Sequence, residues 1–71
     1  MIVTPGPTAH SYRVHHSDVP ELQADGESPA IAARNLEQDL LREIDGAPDD
    51  LHRGPLRKAL EDVRDFLMGQ P

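Results

Sequence analysis

Hydrophobic and polar positions change period along this chain. Tyr12, Val14 and His16 alternate with Arg13, His15 and Ser17, the two-residue repeat of an extended segment with one buried face. Residues 17–20 turn the chain. Leu22 and Ala24 then resume the alternation against Glu21, Gln23 and Asp25 until Gly26 stops it. The pattern predicts a β-hairpin.

Beyond Gly26 the period lengthens. Ser28 suits an N-cap, because its hydroxyl can accept an otherwise unpaired backbone N–H, and Pro29 suits the first helical position, where no N–H is needed. Ala33, Leu36, Leu40 and Ile44 recur at three- and four-residue steps and predict a helix over residues 29–45, stopped by Gly46 and Pro48. Asp49 and Asp50 can cap a short turn over residues 51–53, but Gly54-Pro55 should interrupt it, so a second helix is expected to begin at Pro55. There Leu56, Ala59, Leu60, Val63, Phe66 and Leu67 fall within about 120° of the helical wheel, and the helix should end before Gly69.

The expected fold is therefore α+β, an N-terminal β-hairpin followed by two antiparallel amphipathic helices in the order β-β-α-α. It forms one small domain over residues 10–68, with a short tail over 69–71. Pro5, Gly6 and Pro7 disrupt regular pairing, so residues 1–9 are expected to form a flexible arm in preference to an edge strand over 1–4.

Length and charge narrow the functional classes. A chain of 71 residues buries only about 60% of its unfolded surface. Small domains compensate with disulfides, metals or self-association; with no cysteine in the chain, self-association is favoured, with a homodimer the expected form. No signal-like segment and no apolar run of membrane-spanning length is visible, which predicts a soluble, cytoplasmic protein. The net charge is −6, with ten carboxylates between residues 18 and 50 against only Arg34 and Arg42. Nucleic-acid binding relies on cations that neutralise phosphates, so a basic protein is the expected partner rather than nucleic acid or membrane.

The residues that could carry chemistry form no catalytic set. Asp49-Asp50 and Glu61-Asp62 lack a companion nucleophile or oxyanion hole, and Arg57/Glu61 and Lys58/Asp62 read as ordinary pairs on a solvated helix face. No enzymatic activity and no cofactor are expected. His10, His15, His16 and His52 are the only histidines. Neighbouring residues of a strand point to opposite faces, so His15 and His16 cannot readily hold one ion, and a histidine-based metal binder is the weaker alternative. His16 is expected to cap the edge of the sheet core and His15 to be solvated. Glu37 falls between Ile44 and Leu41, inside the apolar sector of the first helix, and Leu41 widens that sector beyond what one neighbouring helix would cover. Tyr12, Val14, His16, Leu22, Glu37 and Leu41 are the candidate interface residues.

The stretch "YRVHHSDVPELQADGESPAIAARNLEQDLL" resembles the HicB-type antitoxin domain, in which a strand runs into a proline-containing turn, a second strand ends in glycine, and a helix opens after a Ser/Thr-type cap. "SDVPEL", Gly26, Ser28 and "AARNL" hold those places. The family's preceding strand, the strand after its helix and its DNA-binding segment are not recognisable. The resemblance implies an antitoxin-like regulator that binds and restrains a basic partner protein, without catalysis.

Overall fold

The computed structural model describes residues 1–69. It is α+β, with strands β1 (Ile2–Pro5), β2 (Tyr12–His16) and β3 (Val19–Gly26) followed by helices α1 (Pro29–Gly46) and α2 (Asp50–Met68). The strands form one antiparallel sheet in the order β1-β2-β3, and the antiparallel helices pack on one of its faces. At 17 Å, the shortest dimension is one sheet layer plus one helix layer.

The sheet holds one strand more than the alternation predicts. Residues 1–9 are not a flexible arm: Ile2 pairs with His15, Val3 with Val14, Thr4 with Arg13 and Pro5 with Tyr12. Pro5 is accommodated because β1 is an edge strand, where a missing N–H breaks no ladder. The connection turns through Gly6, whose N–H donates to the Ser11 carbonyl at 3.0 Å, while the Thr8 N–H donates to Ser11 Oγ at 3.0 Å.

The β2–β3 turn is tighter than residues 17–20. His16 pairs with Val19, leaving Ser17 and Asp18 as the loop. The register shifts between His15, which pairs with Gln23, and His16; β3 therefore bulges over residues 20–22. Pro20 lies within this strand because β3 is the other edge of the sheet.

The α1 start matches its sequence signals: Ser28 Oγ accepts from the Ile31 N–H at 3.1 Å, and Pro29 opens the helix. Its C-terminus lies one residue beyond the expected end. α2 corrects the expected start at Pro55, because it begins at Asp50 and runs through Gly54-Pro55. Asp49 caps it by accepting from the His52 N–H at 3.0 Å, and Asp50 complements the positive end of the helix dipole. Pro55 removes the hydrogen bond to Leu51, one turn back. Leu51 is 83% exposed, so water can solvate that end of the helix. Of the tail expected over residues 69–71, residues 70 and 71 lie outside the described residues.

The core unites Val14, Val19 and Ala24 of the sheet with Ala32, Ala33, Leu36 and Leu40 of α1 and Ala59, Leu60 and Val63 of α2. Val14 and Ala24 are cross-strand partners, which share one face of a sheet. Gly26 lets α1 come close to this face. A Cβ there would collide with the Ala32 backbone nitrogen and lie 2.8 Å from the Ile31 carbonyl carbon. Asn35 Nδ2 completes the seam by donating to the Asp25 carbonyl at 2.8 Å.

Candidate functional site

The alternation of β2 places its residues as expected: Val14 and His16 face the helices and are buried, while Arg13 and His15 lie on the open face. On that open face Arg13 Nε donates to Asp25 Oδ1 at 2.7 Å. This hydrogen bond, with the attraction between the charges, holds the Asp25 carboxyl below its ordinary pKa.

His16 is a structural junction. The Asp18 backbone N–H donates to its Nδ1 at 3.0 Å, so the bonding pattern assigns the ring proton to Nε2, which donates to Asp62 Oδ2 at 2.6 Å. Both ring nitrogens of the buried imidazole are thereby satisfied. The His16 hydrogen bond holds the Asp62 carboxyl below its ordinary value, with a smaller contribution from Lys58. Lys58 itself sits 3.6 Å from Asp18 Oδ2, rather than forming the expected pair with Asp62. His52 Nδ1 lies 2.7 Å from Asp49 Oδ1, at the start of α2. Among the described residues no three His, Cys, Asp or Glu side chains are grouped to hold a metal ion.

Glu37 owes its position in the apolar sector of α1 to α2. Arg64 Nε donates to Glu37 Oε2 at 3.0 Å, so the carboxylate crosses the helix seam within its own chain. Its side chain is 21% exposed and that of Arg64 53%, so water screens the pair and its contribution is of the order of a surface ion pair.

Among the candidate interface residues, Val14 and His16 are interior to the single chain and Glu37 is engaged by Arg64. Leu22 is half-buried against the core. Tyr12 and Leu41 remain exposed, at 41% and 37%. They lie in different places: Leu41 on α1, Tyr12 at the end of the sheet near the start of that helix.

Two surfaces emerge from the fold. The first surrounds β1. α1 lies over β2 and β3 and leaves most of β1 bare, so Val3 is 40% exposed although its partner Val14 is fully buried. Pro5, Tyr12 and Gly26 form a row across the sheet, and Ile31, 42% exposed, lies over Gly26. Val3, Pro5, Tyr12 and Ile31 thus make a contiguous apolar patch beside an unpaired strand edge. Sequence reasoning missed it because Pro5 hid the strand; the β-branched run Ile2-Val3-Thr4 was the available signal.

The second surface is an open cleft of about 490 Å³ between the Ser17-Asp18 turn, the end of α1 and the start of α2. Val19, Leu22 and Leu56 form its apolar floor, with Asp18, Glu21 and Glu43 among its lining. It lies at the opposite end of β2 from Tyr12.

Comparison with protein-family models, curated proteins and solved structures finds no match for this chain. No helix among the described residues is long and apolar enough to cross a membrane.

Proposed function

We propose that the protein is a small, non-enzymatic interaction module that assembles with itself through β1. The carrying observation is the coincidence of an unpaired strand edge with the uncovered apolar patch of Val3, Pro5, Tyr12 and Ile31. An exposed strand edge is a template for another strand, and pairing β1 antiparallel with its copy would continue the sheet across a two-fold axis. It would also remove apolar surface from water, the remedy that a small domain without disulfides needs. The other edge is less suited to pairing. Each edge carries one proline, but β3 also carries Glu21, Asp25 and the bulge over residues 20–22, whereas Ile2, Val3 and Thr4 bear no charge. The cytoplasm is the proposed setting.

Sedimentation across a concentration series tests this reading with wild type and Val3→Lys. Wild type should form a dimer at micromolar concentration. Val3→Lys should be monomeric and still unfold cooperatively, because the lysine would sit on an exposed strand that the helices do not cover. A wild-type monomer persisting at high micromolar concentration, or a Val3→Lys dimer of undiminished strength, would overturn the proposal.

A further inference from the structure

We infer that the cleft at the far end of the sheet is the docking groove for a basic amphipathic segment of a different protein. The groove combines an apolar floor with a negative rim. Val19 and the half-buried Leu22 and Leu56 line its base, and Leu51 stands at its edge, 83% exposed. Asp18 has Lys58 nearby, but Glu21 and Glu43 have no cation within ion-pair distance among the described residues. Among the described residues no lysine or arginine lines the cleft, and the one histidine there, His52, lies 2.7 Å from Asp49 Oδ1. An apolar side chain on the floor would leave flanking lysines or arginines level with Glu21 and Glu43. That is the helix-in-groove or strand-in-groove arrangement, with charge fixing the register.

A second copy of this chain is the poorer occupant. Five of its seven basic side chains already face carboxylates: Arg13, Arg42, Arg53, Lys58 and Arg64. Among the described residues only Arg34 and Arg57 are without such a partner, and they lie on different helices. The rim therefore calls for cations that another protein supplies. The groove is built on the β3 side of the sheet and the proposed pairing edge is β1, beyond β2, so docking does not depend on self-association.

Titration calorimetry with the full chain and three synthetic peptides tests the inference. The first has a leucine face and a lysine face; the second keeps its lysines but replaces leucine by serine; the third keeps the leucines but exchanges lysine for glutamate. The first peptide should bind, and the other two should each bind at least about tenfold more weakly, since one needs the floor and the other the rim. Glu21→Lys/Glu43→Lys should weaken the first peptide by about tenfold or more, Leu51→Ser should weaken it less, and the monomerising Val3→Lys should leave it unchanged. Equal binding of the leucine and serine peptides would reduce the effect to generic charge attraction and overturn the inference. So would failure of the first peptide to bind, or indifference to Glu21→Lys/Glu43→Lys in a variant whose cooperative unfolding is intact.

Discussion

Val3 and Val14 are the same residue type, directly paired on the same face of one sheet, yet Val14 is fully buried and Val3 is 40% exposed. The difference is the helix layer. α1 lies over β2 and β3, held there by the close approach at Gly26 and the Asn35 hydrogen bond to Asp25, and does not extend across β1. Alternation thus assigns a side chain to a face, and the reach of the neighbouring layer decides whether that face is dry. One half of the sheet forms the core; the other half is surface available to a partner.

Truncation of core side chains sharpens this contrast most. Leu40→Ala empties a fully buried site in α1 and should cost about 2–5 kcal/mol by denaturant unfolding, whereas Val3→Ala should cost well under about 1 kcal/mol in the monomer. Similar losses at the two positions would mean that β1 belongs to the core as fully as α1 does.

The contrast can also be broken at the seam. Gly26→Ala places a methyl group against the backbone of Ala32 and Ile31, which flexible side chains cannot relieve. The helix must move away from β3, and the expected loss is about 1–3 kcal/mol. Greater hydrogen exchange at the start of α1 than in the α1–α2 seam would place that loss at the intended point.

Acid should act at the other attachment of the helix layer, where α2 meets β2 through Asp62 and His16. The His16 hydrogen bond lowers the Asp62 carboxyl below its ordinary value of 3.8. A carboxylate depressed in the folded state contributes stability above its unfolded pKa, and this contribution is lost as pH falls through the folded value. The difference in unfolding midpoint between wild type and Asp62→Asn should therefore shrink as the pH falls below about 4. A difference that persists undiminished in acid would show that the carboxylate's ionisation is not what joins α2 to the sheet.

Local chemistry was legible wherever neighbouring residues decide the outcome. The Ser28 cap, Pro29 at the start of α1, the apolar stripes of both helices and the inward faces of Val14 and His16 all follow from periods and caps that act within a few residues. The same local rules misplaced β1 and the beginning of α2. Pro5 and Pro55 lower the preference for a strand and a helix, yet at a sheet edge or near an exposed helix end the missing N–H removes little. Glu37 stood out on the wheel, but its partner Arg64 comes from another helix, and no spacing rule could name it.

By itself, then, the sequence determined the α+β class, the capped α1, the two apolar helix faces and the acidic centre, because these depend on side-chain type and short periodicity. Tertiary structure alone decided that β1 joins the sheet, that His16 meets Asp62 across 46 positions, and that α1 leaves Val3 bare while the acids and leucines of three elements enclose a cleft. Such juxtapositions depend on where packed layers begin and end. That is set by the summed fit of distant surfaces, for which no short stretch of sequence carries a signal.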